Sequence, residues 1–497
     1  MDVSNRANII SDCGIVGNRT ILELKSKFVI LKKKLMKYNL IILSLCIVLS
    51  FTVVSCEKDE PIIDINKEIE IPVVEEGGLE EATLQLPQVF INTNGGTIVD
   101  EPKINANMSI LVNDEVDYEG AIGIEIRGSS SQAFPKKQFG FETRDAANED
   151  EDVSILGFPE EEDWILYAPY SDKSLIRNKL MYDLSRDMGR YASKSEFVEV
   201  TINDSYNGVY LLLEKLKRDD NRIDINKLKE DENNGEDLTG GYILKIDKNS
   251  EGFTSQTAFA SFYAPNDATA NQQIQFVYDT PDSDDITEDQ KNYISNYMAS
   301  FEDALSGENF TDASLGYNTF IDTPSFIEFF LLNELSNNVD GYRISTWLVK
   351  DKNKKLAMGP IWDFNLAFGN ANYCNGGASN VWAYKYNERC SDDDRQVPFW
   401  WDRLLEDPQF VAQLQTRWST LRASTFSDSA INQRIDNYVS TLKDTKAVEN
   451  NFNKWPVLGR FVWPNNYVGT SYADEEKYLK DWISDRLIWL DSEIPKL

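Results

Sequence analysis

The chain has 497 residues, 41% of them apolar and 12% aromatic, which is the composition of a globular protein with one large core or two moderate ones. Its formal net charge of −32 argues against nucleic acid as a partner. The absence of histidine excludes Ser/His triads, imidazole general bases and His-ligated zinc, so any chemistry must use carboxylates, amides, Lys, Arg or hydroxyl groups.

The first predicted element is a targeting leader over residues 1–55. A basic stretch that ends at Lys37 precedes the apolar run LIILSLCIVLSFTVV, and VVSC closes the segment at Cys56. This pattern resembles a bacterial lipoprotein signal peptide with Cys56 as the lipidated residue. The alternative is an uncleaved anchor, although the run is short for a membrane span. Because Met36 is a conventional signal start, residues 1–35 are either an over-extended gene start or an unusual leader.

An acidic tether follows over residues 56–82. Its sequence EKDEPIIDINKEIEIPVVEEGGLEEA is rich in charge and poor in aromatic residues, as expected of a solvated linker between a lipid anchor and a folded domain. Leader and tether together predict a lipid-anchored protein of the cell envelope, on the periplasmic or surface face of an outer membrane.

Strands dominate the next part of the chain. Residues 83–120 are predicted as a short β-strand region that precedes the main domain, which is predicted over 121–497. The strand patterns are LPQVFINTNGG, MSILVND, AIGIEIR, KQFGFET, FVEVTI, GVYLLLE and GYILKI. Among them, the helical spacing of SLIRNKLMYDLSRDMG predicts one helix over 174–189.

Helices dominate the second half. Thr323 and Pro324 fit the cap and first turn of a helix that is apolar nearly all round and is therefore predicted to be buried. Further helices are predicted near 286–306, 399–420, 428–446 and 473–493. Strands first and helices later, without strict alternation, predict an α+β fold.

A predicted β-hairpin brings two acids together. In NNVDGYRISTWLVKDKNKKLAMGPIWDFN, the segment DKNK reads as the turn, and the hairpin is predicted to be centred at about residue 351.5, from which Asp340 and Asp363 are equally distant. Facing carboxylates repel each other unless one is protonated or a cation lies nearby. Asp oxygens with the amide oxygen of Asn365 suit Mg²⁺ or Ca²⁺. The alternative is that both acids only cap turns.

A second polar constellation lies in IEIRGSSSQAFPKKQFGFE. A strand ends at Arg127, residues 128–131 form a small polar connection whose backbone N–H groups suit phosphate oxygens, and Lys136 and Lys137 begin the return strand. An ordinary serine-rich hairpin is the alternative. No GxxxxGK[ST] loop occurs, which excludes a P-loop enzyme on pattern.

Two cysteines remain after the leader and the lipidation site. Outside the cytoplasm, Cys374 and Cys390 favour a disulfide over two free thiols. The surrounding region, Tyr373–Trp401, is acidic and rich in Trp and Tyr, so it is either a partner or glycan face or a packed aromatic cluster around the disulfide.

Five blocks of this sequence occur in a fixed order over roughly residues 85–420. The blocks are IRGSSSQAFPKKQFGFE, DWILYAPYSDKSLIRNKLMYDLSRDMG, NGVYLLLEKLKRDDNRIDI, GGYILKIDK and NNVDGYRISTWLVKDKNKKLAMGPIWDFNLAFGN. In sequence and in order they resemble the CotH kinase family, named after a spore coat protein H.

The resemblance implies an atypical protein-kinase-like fold that transfers the γ-phosphoryl group of ATP to Ser or Thr of an unknown protein substrate, with Mg²⁺ or Mn²⁺, or alternatively Ca²⁺. Asp363 then corresponds to the metal-binding Asp, with Asn365 beside it, and Asp340 to the catalytic acid. The implied nucleotide-binding residues are Arg127, Ser129, Ser130, Lys137 (with Lys136 as its rival) and Glu214.

The sequence departs from the family pattern at two positions. Many members have a second Asp where this chain has Asn365, and an Asn where it reads Arg343, Ile344, Ser345. These departures bear on a second metal site and on catalytic competence. Since ATP is scarce outside the inner membrane, one alternative is a non-catalytic surface binding protein of adhesin or invasin type. The other is a glycoside hydrolase with paired carboxylates.

Overall fold

The computed structural model describes residues 84–248, 252–269 and 273–497. The predicted leader, Cys56 and the tether lie outside these ranges. Among the described residues, no helix has both the length and the apolar character needed to cross a bilayer. The strands are β1 (Gln88–Asn92), β2 (Ile104–Val112), β3 (Glu115–Arg127), β4 (Gln138–Arg144), β5 (Asp163–Tyr167), β6 (Ser195–Ile202), β7 (Ser205–Glu214), β8 (Tyr242–Ile246), β9 (Ala258–Ala260), β10 (Gln275–Thr280), β11 (Thr346–Lys350) and β12 (Leu356–Met358).

The first seven strands close into a barrel in the order β1-β2-β3-β4-β5-β7-β6. Neighbouring strands are antiparallel except at the closure, where β1 runs parallel to β6 and Gln88 lies beside Glu199. Alternate residues of each strand point inward because side chains in a strand alternate between faces. They form a core of their own, which includes Val89, Met108, Ile124, Phe141, Trp164, Val200 and Leu212.

The barrel includes residues on both sides of the predicted domain boundary between residues 120 and 121. That position falls inside β3, and β1 and β2 belong to the same barrel as β4–β7. The strand region before residue 121 is therefore part of the barrel and not a separate preceding layer.

A second sheet has the order β12-β11-β8-β10-β9. The predicted hairpin is present as β11 and β12, but its predicted register is wrong. Val349 pairs with Ala357, so the hairpin is centred on Asn353. Its second strand is short because Gly359 has a φ of +100° and is followed by Pro360, which has no N–H to continue the ladder. Asp340 and Asp363 consequently lie outside the paired strands.

The helices of the described residues follow one another mainly in the second half of the chain. They are α1 (Arg177–Asp187), α2 (Glu288–Ser306), α3 (Thr323–Ser336), α4 (Tyr386–Arg389), α5 (Trp400–Leu404), α6 (Pro408–Arg422), α7 (Asp428–Asp444), α8 (Ala447–Lys454) and α9 (Tyr472–Glu493). They enclose a core that is continuous with the outer face of β7 and one face of the second sheet. The structure is thus a mixed α/β protein with a β-rich N-terminal part, as predicted, but barrel closure and the second sheet were not predicted.

Two helix boundaries correct the sequence analysis. The buried helix α3 begins at Thr323 with Asp322 in the cap position, one residue earlier than predicted. The helix predicted over 399–420 is two helices, α5 and α6. The break occurs at Asp407, whose side chain accepts a hydrogen bond from Gln409 N, and Pro408 opens α6.

Candidate functional site

A cleft of about 390 Å³ lies between one end of the barrel and the second sheet. The barrel contributes the end of β3 and the turn after it, and the other wall contains the segments that flank the β11–β12 hairpin. Six residues predicted from the sequence line this cleft: Arg127, Ser129, Ser130, Asp340, Asp363 and Asn365. The structure therefore brings together most of the predicted site, although not by the predicted hairpin pairing.

Asp363 is held by contacts of its own backbone and of its neighbours. Its φ is +60°, a left-handed conformation that is uncommon for residues other than glycine. Asp363 N donates to Tyr182 Oη at 3.3 Å, and Phe364 N donates to Asn178 Oδ1 at 2.7 Å, so helix α1 fixes this segment. The Tyr182 ring also stacks on Trp362, with 5.7 Å between centroids.

The Asp363 carboxyl is electrostatically unfavourable as an anion. Its pKa is raised to about 7, mainly by burial and also by the neighbouring Asp340 and Asp247, while Lys248 and Arg127 oppose the rise. A carboxyl in this state is neutral over much of the acidic range and becomes charged near neutral pH. A cation beside it would favour the charged form.

Asp340 lies in the turn between α3 and β11. Its backbone oxygen accepts from Ile344 N at 3.0 Å, and its Oδ1 pairs with Arg343 Nη2 at 3.2 Å. Asp340 and Asp363 share the cleft because the start of β11 and the end of β12 lie at the same end of the antiparallel hairpin.

Asn365 is directed at Asp363. Its Nδ2 donates to Asp363 Oδ1 at 2.7 Å, and its own backbone oxygen accepts from Asn370 Nδ2 at 2.8 Å. The side-chain amide thus supplies one donor to the carboxylate. Rotating the amide by half a turn would present Oδ1 as a further oxygen ligand.

The barrel wall of the cleft is a short polar turn. Gly128 has a φ of +103°, and a Cβ at this position would lie 2.2 Å from Ser131 Oγ, so the turn requires glycine. Ser129 and Ser130 are exposed, and a short 3-10 helix begins at Ser130. Arg127 lies over the Trp362 ring at 5.8 Å, which connects the two walls.

Two predicted nucleotide-binding residues lie outside the cleft lining. Lys137 Nζ donates to the backbone oxygen of Gln132, next to the serine-rich turn. Glu214 is buried, and its Oε2 accepts from Lys194 N at 2.9 Å and from Tyr191 Oη at 3.2 Å. Lys136, the rival of Lys137, is buried under the Tyr210 ring and bonds to Val209 O and Asn451. None of these positions supports the predicted contact with a nucleotide.

Several charged residues of the cleft were not predicted from the sequence. Lys245, Asp247 and Lys248 come from β8 and its end, and Lys215 follows β7. Lys245 pairs with Asp279 at 2.7 Å, and Asp247 Oδ1 accepts from Ser345 N at 3.3 Å. The signal was the charged sequence KIDK at the end of a buried strand that pairs with β11.

One cluster of acids outside the cleft also has the spacing of a metal site. Among residues 84–248, 252–269 and 273–497, the only group of three acidic side chains with oxygens within 4.8 Å of one another is Asp152, Glu161 and Glu162. Lys217 Nζ lies 2.6 Å from Glu162 and 3.0 Å from Glu161, so an ammonium group already neutralises much of this charge. The cluster is therefore explained as an ion-pair network.

The predicted disulfide is present, and it joins Cys374 and Cys390 with their Cα atoms 5.8 Å apart. The large aromatic side chains around it are mostly internal: Tyr384, Tyr386, Trp400 and Trp401 are all buried. Of the two interpretations of this region, the structure matches the packed aromatic cluster. An exposed aromatic surface occurs instead at Trp463, which is 57% exposed, lines the cleft and stacks on Tyr373.

Comparison with known proteins gives two matches. A family model described as CotH kinase protein matches residues 124–490, which include the whole of the cleft described above. A stretch of 51 residues is 45% identical to the inner spore coat protein H of Bacillus subtilis (strain 168). That stretch is 10% of this chain and 14% of the Bacillus protein, so the chain aligns with only a small part of that curated relative.

Proposed function

Since the chain belongs to the CotH kinase protein family, we propose that it transfers the γ-phosphoryl group of ATP to Ser or Thr residues of a protein substrate, with the help of a divalent cation. The observation that carries this proposal is the shared cleft of Asp340, Asp363 and Asn365 with a glycine- and serine-rich turn on the opposite wall. Phosphoryl transfer depends mainly on positioning and electrostatic stabilisation, which such a cleft can provide.

The donor set fits a hard cation. Carboxylate and amide oxygens prefer Mg²⁺, Mn²⁺ or Ca²⁺ over softer metals. Four carboxylates line the cleft, and two of them, Asp340 and Asp247, raise the pKa of Asp363, so a cation at this carboxyl group would relieve the repulsion between the acids. Asp363 and Asn365 are the proposed ligands. A bound divalent cation would neutralise charge on the phosphates of ATP.

The remaining residues have distinct proposed tasks. Asp340 orients the acceptor hydroxyl and accepts its proton. The backbone N–H groups of Ser129 and Ser130 and the guanidinium group of Arg127 bind phosphate oxygens. Lys248 replaces Lys137 as the proposed phosphate-binding lysine, because Lys248 lines the cleft and lowers the pKa of Asp363.

The cellular setting remains part of the proposal. The leader, with Cys56 as the lipidation site, supports a lipid-anchored protein of the cell envelope, in the outer membrane. A kinase in that location needs a supply of ATP or another phosphate donor outside the inner membrane.

A thermal-shift titration of the folded domain with ATP and Mg²⁺ or Mn²⁺ tests this function. We expect a rise in melting temperature for the wild-type protein and a much smaller rise for Asp363→Ala, because the variant lacks a proposed metal ligand. Lys477→Met, which changes an exposed charge distant from the cleft, serves as the control and should behave as the wild type. Absence of a shift in the wild-type protein would refute nucleotide binding.

A non-catalytic binding protein is the second candidate function. The observation that favours it is the stacked pair of Tyr373 and Trp463, with ring centroids 6.2 Å apart and planes 5° from parallel, at the cleft. Exposed flat aromatic surfaces suit sugar rings and protein side chains. Binding to a glycan array that persists without nucleotide and is lost in Trp463→Ala would favour this function.

A further inference from the structure

Arg343 occupies the buried side of the turn that carries Asp340. Its side chain is only 3% exposed, yet it pairs with a carboxylate that lines the cleft. The distance between Arg343 Nη2 and Asp340 Oδ1 is 3.2 Å. Within the described ranges, one hydrogen bond reaches the Asp340 carboxylate, and it is accepted by Oδ1. Oδ2 is therefore the oxygen left for a group in the cleft.

The guanidinium group is itself fixed from several directions. Arg343 Nε donates to Val339 O at 2.7 Å, and Nη1 donates to Arg395 O at 3.2 Å. The Tyr386 ring covers its face, with 4.0 Å between the ring centroid and the guanidinium carbon. A planar group with this many directed contacts has one orientation, and it imposes that orientation on its carboxylate partner.

One of the groups that contact Arg343, the Tyr386 ring, belongs to the loop that the disulfide closes. Tyr386 lies between Cys374 and Cys390, and its hydroxyl donates to Asp393 Oδ2 at 2.7 Å. Asp393 Oδ1 in turn lies 3.4 Å from Arg343 Nη1. The same loop also binds the start of the Asp340 turn, because Asn337 Nδ2 donates to Ala378 O at 3.0 Å.

We infer that Arg343 is a positioning residue for Asp340, and that the loop closed by the Cys374–Cys390 disulfide holds Arg343 in place through Tyr386. This inference rests on the proposed function, in which Asp340 meets the acceptor hydroxyl. Arg343 holds one oxygen of Asp340 so that the other is presented to the cleft, and Arg343 itself does not touch the substrate. A displacement of about 1 Å at a reacting group costs about 10²-fold in rate.

The test compares Arg343→Met with Arg395→Met, using ADP formation from Mg-ATP, which needs no identified protein acceptor. Arg395 is a suitable control because its side chain bonds to Asp394 O, and its contact with Arg343 is made by its backbone oxygen, which the substitution keeps. We expect Arg343→Met to lower kcat by about 10²-fold. Its KM for Mg-ATP and its thermal shift with Mg-ATP should match those of the wild type, and Arg395→Met should keep the wild-type kcat. The double variant Cys374→Ala, Cys390→Ala should lower kcat in the same way but less.

Three results would overturn the inference: an unchanged kcat in Arg343→Met, an equal loss in Arg395→Met, or a loss that appears in KM and the thermal shift. If the wild-type protein forms no ADP and shows no shift with Mg-ATP, the proposed function has failed. The positioning is then judged by amide hydrogen exchange over residues 338–345. Faster exchange in Arg343→Met than in Arg395→Met would support it, and equal exchange would overturn it.

Discussion

The barrel wall of the cleft presents the exposed residues 128–130 as a short turn, whereas the opposite wall presents Asp340 and Asp363 from buried segments. The turn offers several equivalent backbone N–H groups, and its conformation depends mainly on Gly128. The acids depend on packing against α1 and on buried ion pairs. Substitutions on the turn should therefore have small effects and substitutions on the acidic wall large ones, in catalysis, in stability or in both.

The largest effect is expected for Asp363→Asn, which keeps the shape of the side chain. Turnover should fall by about 10³-fold, as for loss of one group that stabilises developing charge. Stability should increase at pH 8, because a carboxyl with a raised pKa of about 7 in the folded state costs about 4 kcal/mol when it is ionised. ADP formation and urea unfolding at pH 8 measure the two effects. A loss of stability would show that the buried carboxylate is already compensated.

The buried ion pair behind the acidic wall should contribute most to stability. Arg486 Nη2 lies 3.1 Å from Glu334 Oε2, both side chains are fully buried, and Glu334 lies in the last turn of the helix that leads to Asp340. Arg486→Met leaves an unpaired buried carboxylate, so we expect a loss of about 3–5 kcal/mol in the free energy of unfolding. The exposed pair of Lys477 and Asp481 provides the control, since Lys477→Met should cost less than about 1 kcal/mol. Similar losses in both variants in a urea titration would contradict this prediction.

Glu302 is a buried acid outside the cleft that also makes the free energy of unfolding depend on pH. Its contribution can be removed by substitution, which leaves the contribution of the cleft to be measured. Burial raises the pKa of Glu302 to about 7, although it accepts hydrogen bonds from Ser261 Oγ and Trp400 Nε1. The folded state therefore holds a proton that the unfolded state has lost between about pH 4.5 and pH 7. Stability should fall by about 3 kcal/mol as the pH rises through this range. Glu302→Gln should remove this part of the decline and leave the part due to Asp363, as measured by unfolding at several pH values.

The smallest effect is expected on the barrel wall. Ser130→Ala removes a hydroxyl but keeps the backbone N–H. The Kd for Mg-ATP should therefore rise by no more than about fivefold, which corresponds to about 1 kcal/mol. The unfolding free energy should stay near that of the wild type. Ser300→Ala, on the exposed face of α2, is the matched control. A loss as large as that of Asp363→Asn would reverse the comparison between the two walls.

The sequence predicted local structure and the residues of the site better than it predicted their arrangement. The strand patterns, the fully buried helix and the disulfide were all predicted, because each has a local signal in residue type and spacing. The hairpin register was not, because Gly359 and Pro360 end β12 early and the turn is longer than DKNK indicates. Asp363 reached the cleft through contacts with Tyr182 and Asn178. Those contacts join residues that are distant in sequence, and they leave no periodic pattern.

The roles of individual lysine and glutamate residues were the least predictable feature of the candidate site. Lys137 and Glu214 are next in sequence to Gln138 and Lys215, which line the cleft, but a change of one position along a strand reverses the face to which a side chain points. Lys248 follows a strand whose pairing with β11 brings it to the cleft, and that pairing connects residues about 100 positions apart. The family resemblance supplied the motif, but it did not indicate the direction of each side chain.

The parallel pairing of β1 with β6 has a practical consequence for anyone who trims this chain. The family match begins at residue 124, yet β1, β2 and most of β3 precede that position and complete the barrel. A shortened protein that starts there would lose the parallel partner of β6 and three of the seven β3 residues that pair with β4. Unpaired backbone N–H and C=O groups would then be exposed at two open sheet edges, where strands of other chains can pair with them and cause aggregation. Soluble material for biochemistry should therefore retain the residues from about 84 onward.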